Sequence, residues 1–354
     1  MTDANATLVD DLAAIVGASH VLTDASAIEP YLIDCRDRFH GRARAIVRPA
    51  TTAEVAKVVR ACAHARVPIV PQGGNTSMCG GATPDATGEA IVLSLVRMKA
   101  VRATDAANKT MTVEAGITLH DAQQAAQEAG MFFPLSLASE GTCTIGGNLS
   151  TNAGGTAVLR YGNARELVLG IEVVLADGRV LDALRGLRKD NSGYDLKQLF
   201  IGSEGTLGIV TAAVLKLFAA PHTRVTALAA VESVDDAVAL LRAMQQAAGD
   251  RLTGFELLSG VALSLSHRHH PELPDPLPGH PWYALLQIDD TQAHAALTEL
   301  VETALSRAVE DGIVVDATIA QSQEQARKLW ALRENVSEAQ RREGPNIKHD
   351  ISLP

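Results

Sequence analysis

A chain of 354 residues is too long for one ordinary core and calls for about two domains of roughly 100–200 residues each. Its formal charge of −10 at pH 7, with no cluster of lysine and arginine, argues against a nucleic-acid partner, since binding phosphate backbones needs grouped cations. Aromatic residues make up 3% of the chain, which leaves the core to aliphatic packing.

The N-terminal MTDANATLVDDLAAIVG has acids where a secretory leader has its basic region, and no window reaches the ~18 consecutive apolar residues of a membrane-spanning helix. Cys35, Cys62, Cys79 and Cys143 form no CxxC pair, so free thiols in a reducing cytoplasm are the expectation.

In chain order, residues 8–17 read as a short amphipathic helix stopped by Gly17. In AIVRPATTAEVAKVVRACAHARVPIVPQGG, a strand at Ala45–Arg48 leads into a helix capped by Thr51 or Thr52, with Glu54 in its first turn. That helix ends near Arg66, and Val67–Val70 is a second strand. AIVLSL (90–95) reads as a buried strand, TMTVEAG (110–116) alternates as a half-buried one, and 118–129 form a helix stopped by Gly130. LGIEVVLADGRVLDA (169–183) is hairpin-like around Ala-Asp-Gly, and a long β-branched strand lies within 202–218. Pro221 marks a domain boundary.

Beyond it, strands at 223–230, 252–258, 282–289 and 313–319 alternate with helices at 234–248, begun by Ser233 or Asp235, and at 293–310. This pattern predicts helices stacked on one antiparallel sheet. The proline-rich 267–281 reads as an exposed loop, and a last helix runs from about Ser322 to Arg342. KHDISLP reads as a strand on which the chain stops, which suggests a C-terminally incomplete chain. Hairpins interrupt the alternation of strand and helix, so the class is α+β.

Two stretches lack that simple rhythm but are dense in small residues. PQGGNTSMCGG (71–81) follows a strand directly. Its glycines let backbone approach a ligand, and successive N–H groups in such a turn can form an anion-binding nest. No Gly-Lys-Ser/Thr closes it and it opens no helix as GxGxxG, so it is neither a Walker loop nor a dinucleotide fingerprint; a plain tight turn is its other reading. PLSLASEGTCTIGGNLSTNAGG (134–155) interleaves five glycines with Ser139, Thr142, Thr144, Asn148, Thr151 and Asn152, more donors than a turn needs. Ile145, Leu149 and Ala153, at i, i+4 and i+8, give it helix-like packing. The two stretches read as halves of one cradle for a polyanion. Cys143 inside it is either a nucleophile or a small packed thiol; no His or Asp accompanies it in a motif, which favours the thiol.

These two stretches, followed by NSGYDLKQLFIGSEGTLGIVT, resemble the FAD-linked oxidase family of the vanillyl-alcohol-oxidase fold with its PCMH-type FAD-binding domain. The resemblance runs from about residue 40 to 354 and is to the D-lactate, glycolate and D-2-hydroxyglutarate dehydrogenase branch. It implies an N-terminal helical segment at 1–39, a two-part FAD-binding domain at 40–220, and an antiparallel-sheet substrate domain at 221–354. FAD would be held non-covalently, its pyrophosphate on the loop of Pro71, Gln72, Gly73, Gly74, Asn75, Thr76 and Met78. Its ring and ribityl side would meet Pro134, Gly141, Thr142, Gly146, Asn148, Thr151, Asn152 and Ala153, with Gly208 and Ile209 contributing main chain. Such a cradle neutralises two phosphates without a lysine, in keeping with the acidic composition.

Near the C-terminus, Arg333 and Ser337 stand four apart on one helix face, and Lys348 follows on the terminal strand. An arginine fork, a hydroxyl and an ammonium suit a carboxylate; a solvated charged face is the other reading. The resemblance implies the clamp, a small D-2-hydroxy acid oxidised to the 2-oxo acid, and an electron acceptor such as an electron-transfer flavoprotein, a quinone or a cytochrome. The family's metal and base residues belong to an HxGDGNxH-like segment that this sequence does not contain. No metal ligand is therefore assigned, and a divalent metal enters only if further C-terminal residues supply its ligands. His267, His269 and His270 suggest a metal by composition, yet they sit beside the proline-rich loop without a fixed scaffold. Trp330 either roofs the flavin or packs. A flavin-binding module without turnover stays open beside the enzyme, and a homodimer is compatible with both.

Overall fold

The computed structural model describes residues 2–293, 296–347 and 351. They divide into two compact units, Met1–Gly155 with Tyr161–Ala220, and Thr156–Arg160 with Pro221–Pro354. The first begins with α1 (Thr2–Val16), β1 (Val21–Leu22), α2 (Ala25–Leu32), β2 (Ala45–Val47), α3 (Thr52–Ala65), β3 (Ile69–Gln72) and β4 (Ile91–Ser94). Local sequence sets both ends of α3: Thr51 Oγ1 accepts the Glu54 N–H at 3.2 Å, and Arg66 turns into the left-handed region at φ 56°. The four strands pair in the order β1-β2-β4-β3, with β4 parallel to both of its neighbours.

Next come β5 (Val101–Asp105), β6 (Thr110–Glu114), α4 (Leu119–Glu128), α5 (Ile145–Ser150) and α6 (Val158–Tyr161). β7 (Val168–Val174), β8 (Val180–Ala183), α7 (Lys197–Phe200) and β9 (Ile209–Lys216) complete the series. Their strands form an antiparallel sheet, β5-β6-β9-β7-β8. One core joins the two sheets, with Val55, Val59 and Cys62 of α3 packed among Ile91 and Leu93 of β4 and Ile171 and Val173 of β7. Glu172 lies between those two β7 residues, at a shift in the register against β9. Its Oε1 accepts from Thr52 Oγ1 at 2.6 Å, Thr211 Oγ1 at 2.8 Å and Arg102 Nη1 at 3.1 Å. One carboxylate thus fastens the first turn of α3 to β5, β7 and β9.

The second unit has β10 (Thr223–Val231), α8 (Val234–Ala248), β11 (Leu252–Ser259), α9 (Gly260–His269), β12 (Trp282–Asp290) and α10 (Leu297–Glu310). β13 (Asp316–Ile319), α11 (Gln323–Glu334) and α12 (Val336–Arg342) follow. The sheet β11-β12-β10-β13 is antiparallel throughout. Along β10, Val225, Ala227, Ala229 and Val231 pack with α8 and α10, while Leu228 and Ala230 pack with Leu329 and Leu332 of α11. Both faces are covered, which explains why this strand is a nearly unbroken apolar run. The class is α+β, with two sheets in the first unit and an antiparallel sheet in the second, as expected.

Several elements differ from the sequence reading. α1 starts at Thr2, earlier than residue 8. The sequence reading assigns no element to the stretch of α2; Asp24 Oδ2 caps it by accepting the N–H groups of Ser26 and Ala27 at 3.1 and 3.3 Å, while Pro30 within it masks the signal. β5 is exposed along its whole length and so shows no alternation. α9 replaces the start of the expected loop, because Ser259 Oγ caps it by accepting the Ala262 N–H at 3.2 Å; 270–281 carry no helix or strand, and Leu277 there is buried. The single last helix is two, parted at Asn335, whose Nδ2 donates to the Ala331 carbonyl at 2.9 Å in competition with the helix backbone. Most of the expected terminal strand lies outside the described residues, and Ile351 belongs to no element.

Replacing Glu172 by alanine leaves Arg102 without its inner partner and is expected to cost about 3 kcal/mol of stability, the range for breaking a buried pair. Urea unfolding of the variant beside the parent chain measures it.

Candidate cofactor and substrate sites

The first glycine loop leaves β3 at Gln72. Its buried side chain spends both Nε2 hydrogens on the protein, donating to Tyr31 O at 2.9 Å and Ala82 O at 2.8 Å. The Gln72 side chain is thus a brace for the loop. Asn75 is left-handed at φ 52°, and its Nδ2 donates to Ile33 O at 2.7 Å. Among the described residues, the backbone N–H groups of Gly73, Gly74, Asn75 and Thr76 meet no acceptor. Four successive free amides held in a braced turn form the nest that a diphosphate needs. Pro71 and Met78 are half-buried at either side.

The second glycine segment touches this loop directly. A Cβ on Gly73 would lie 2.3 Å from Thr144 Oγ1, and one on Gly74 would lie 2.1 Å from the Thr142 carbonyl. These glycines therefore serve loop-to-loop contact as well as ligand approach. α5 follows, capped by Thr144 Oγ1, which accepts the Gly147 N–H at 3.3 Å. A Cβ on Gly146 would be 2.7 Å from that of Ala115, so the helix presses on the turn after β6. Asn148 is 4% exposed, and its Nδ2 is buried without a hydrogen-bond partner beyond a weak pull on the Cys143 thiol. Asn152 turns left-handed at φ 50°, and its Oδ1 accepts the Arg165 N–H at 3.1 Å. Thr151 Oγ1 is spent on Gly147 O at 3.1 Å, and the Ala153 N–H on Asn148 O at 2.8 Å.

A third stretch docks on α5: the N–H of Gly202 donates to Leu149 O at 3.0 Å and that of Glu204 to Ser150 O at 2.9 Å. Gly208 packs against β7, where a Cβ would come 2.7 Å from Val173 Cγ1, and Ile209 pairs with Val174. Pro134 is buried, whereas Gly141 and Thr142 are exposed, and nothing lies within 4 Å of a Cβ at Gly141. Burial pushes the Cys143 thiol up against opposing hydrogen bonds from Ser139 and Asn148. It stays protonated at neutral pH, the state of a packed thiol.

In the second unit, Arg333 closes α11 and Ser337 lies in the first turn of α12, on either side of the break at Asn335. They therefore do not share one continuous helix. Lys348 lies outside the described residues. Arg333 Nε donates to Glu256 Oε2 at 2.7 Å. Trp330 stacks its ring edge on Gly254, where a Cβ would be 3.4 Å from Cη2, so it packs on β11; its Nε1 is buried without a partner. Gly254, Glu256 and Leu258 alternate along the β11 face that meets α11. In register beside Gly254 stand Gln287 and then Thr226, whose buried Oγ1 also lacks a partner.

Sequence reasoning passed over Glu256, Gln287 and Thr226, although a polar residue recurring within an apolar strand was a signal available to it. The three histidines stand at the end of α9 and pair with carboxylates: His267 with Asp275 at 3.8 Å, His269 with Glu343 at 2.8 Å and His270 with Glu272 at 3.3 Å. They have a helical scaffold after all. Among the described residues no group of three or more His, Cys, Asp or Glu is arranged to hold a metal.

Comparison with known proteins fits this picture. Residues 43–184 match the FAD binding domain family, and 220–354 match the C-terminal domain of FAD linked oxidases. The D-2-hydroxyglutarate dehydrogenase of Xanthomonas citri pv. viticola is 39% identical over 341 residues, 96% of this chain and 70% of the relative. The chain belongs to the FAD-linked oxidases, in their D-2-hydroxyglutarate and D-lactate dehydrogenase branch. The mitochondrial D-2-hydroxyglutarate dehydrogenase of Bos taurus is 40% identical over 98% of this FAD-linked oxidase, which spans 63% of that relative's length. In fold, p-cresol methylhydroxylase with substrate bound has a TM-score of 0.74 at 19% identity, over 95% of this chain and 72% of that one. The cytoplasmic location expected from the sequence is overturned by the relatives of cattle and rat, which are named mitochondrial. Cysteine spacing separates oxidising from reducing surroundings and is silent on which intracellular compartment holds a chain.

The cradle fits FAD in its free amides, its Cβ-free loop contact and the unpartnered Asn148 amide. Asn148→Leu removes a buried unsatisfied group, so the FAD-free chain is expected to keep or gain thermal stability while FAD binding weakens about tenfold. Gly74→Val drives a side chain into the Thr142 carbonyl and is expected to abolish flavin retention. Flavin absorbance per protein after gel filtration, together with melting of both forms, measures these effects.

Proposed function

We propose that this FAD-linked oxidase oxidises a small D-2-hydroxy acid, D-2-hydroxyglutarate, D-lactate or glycolate, to the 2-oxo acid. The observation that carries the reading is the run of unpartnered amides from Gly73 to Thr76 on a braced loop, locked to the Thr142–Thr144 backbone. Bound non-covalently, FAD supplies the two-electron acceptor that oxidation of the C2 carbon requires. The amides neutralise the diphosphate, and Asn148 offers a buried donor. Asn152, Ala153, Gly208 and Ile209 shape the wall by main chain, with Thr151 and Gly146 holding α5 in place.

In the second unit, Arg333 has a fork free beyond its Nε, and Ser337 and Lys348 complete the reading of a carboxylate clamp. Fixing the carboxylate fixes C2 and its hydrogen, which converts a random encounter into an oriented one. An external carrier, an electron-transfer flavoprotein, a quinone or a cytochrome, takes the electrons away. A homodimer belongs to the same reading, and light scattering checks it.

Anaerobic addition of D-2-hydroxyglutarate to the yellow protein is expected to bleach the flavin, and D-lactate or glycolate to do so at a different rate. A bound flavin that no D-2-hydroxy acid bleaches overturns the dehydrogenase reading and leaves a flavin-binding module. Arg333→Met is expected to raise KM about a hundredfold, the loss of a charge-assisted pair, with FAD still bound; unchanged steady-state kinetics count against the clamp.

A further inference from the structure

We propose that Glu256 is the positioning residue for Arg333, holding the guanidinium by its Nε so that the fork is presented to a substrate carboxylate. The inference rests on the proposed role of Arg333 as carboxylate ligand. Glu256 lies on β11, on the face that meets α11, between Gly254 against Trp330 and Leu258 in the core with Leu329 and Leu332. Its cross-strand partner is Leu285, which is fully buried. A carboxylate on an otherwise apolar stretch of sheet is costly unless it has a partner.

That partner is Arg333, at 2.7 Å, and the contact is made through Nε. Among the described residues the two Nη groups meet no other acceptor, and the Arg333 side chain remains 34% exposed against 23% for Glu256. The arrangement is therefore one-sided. The edge of the guanidinium is fixed to the strand while its end, with two parallel donors, stays open to a ligand, the geometry a bidentate carboxylate contact uses.

An arginine is rotamer-rich, and ordering it at the moment of binding lowers affinity. Glu256 orders it beforehand, from a strand that cannot follow the arginine away. Trp330, three residues earlier on α11, packs on Gly254, so the same two β11 positions set both the height and the turn of the helix that delivers Arg333. The opposite role for Glu256 is a rival anion that competes with substrate for Arg333. The two roles differ in sign: positioning makes its loss weaken binding, whereas competition makes its loss tighten binding.

The test uses the full FAD-loaded chain and four variants, E256M, E256Q, R333M and the double variant E256M/R333M. The readouts are the Kd of 2-oxoglutarate by calorimetry on the oxidised protein, KM and kcat for D-2-hydroxyglutarate, and FAD content. E256M, which fills the space without an acceptor, is expected to raise Kd and KM about tenfold with kcat and FAD content little changed. E256Q, which restores an acceptor for Nε, is expected to recover most of that loss, and the double variant to be no worse than R333M alone.

An unchanged or tighter Kd in E256M, while R333M loses binding, overturns the positioning role. An unchanged Kd in R333M instead overturns the clamp on which it rests, so the two failures are distinguishable. Should E256M not fold, E256D draws the carboxylate back by one carbon. It is expected to raise KM about threefold, and an unchanged KM there overturns the proposal.

Discussion

The cofactor half of this protein depends on one close approach of backbone to backbone. Gly74 lies so near the Thr142 carbonyl that it cannot carry a side chain, and Gly73 so near the Thr144 hydroxyl that a side chain there would displace it. That contact turns two loops some sixty residues apart in sequence into one surface. The amides of Gly73 to Thr76 meet no acceptor among the described residues, and the braces at Gln72 and Asn75 hold the loop that carries them. Because loops are held by few bonds, each of these is worth more to the site than its own modest energy. Glu172 plays the matching part deeper down, joining α3 to the antiparallel sheet so that the strand feeding the loop has a fixed base.

The second unit works by division of faces. One side of its sheet is filled by α8 and α10, and the other is shared by aliphatic packing at one end and polar groups at the other. Leu258, Tyr283 and Ala230 form a closed row across the strands, whereas Gly254, Gln287 and Thr226 form a row in which the buried Thr226 Oγ1 has no partner. Strand alternation places these residues on the same side, with Glu256, Leu285 and Leu228 in the row between, so the change from dry to polar happens over about four residues of strand, roughly 13 Å. Arg333 enters at the polar end because α11 is anchored at the dry end by Leu329 and Leu332.

Much of the fold was legible where local chemistry is strong. Thr51, Ser233 and Gly130 marked helix ends that the structure keeps or nearly keeps, and the Ala-Asp-Gly turn joins β7 and β8. The α2 helix was hidden by Pro30, β5 by full exposure, and α9 by the proline-rich run that begins just after it. Within the site, glycine density revealed the cradle but could not distinguish a glycine that admits a ligand from one that admits another loop. Gln72 illustrates the limit: its place in the loop gave no sign that its side chain braces the loop through long-range contacts with Tyr31 and Ala82. Helical spacing put Arg333 and Ser337 on one helix face, yet Asn335 breaks that helix, and the partner that orients Arg333 lies 77 residues away in sequence. Spacing arguments do not reach such a pair.

The four thiols fall at graded depths around the first unit's loops. Cys79 is exposed on the first loop, and Cys35 is exposed beside it, with its Sγ 4.0 Å from Ser77 O. Cys143 is buried where the two loops meet, and Cys62 lies within the α3 core with its thiol pushed up to about 11 by burial. An alkylating reagent would meet the two exposed thiols before the two buried ones. Cys79 and Cys35 are open from the start, while separation of the cradle would expose Cys143 and opening of the core Cys62, so the chain carries a built-in gauge of how far it has opened.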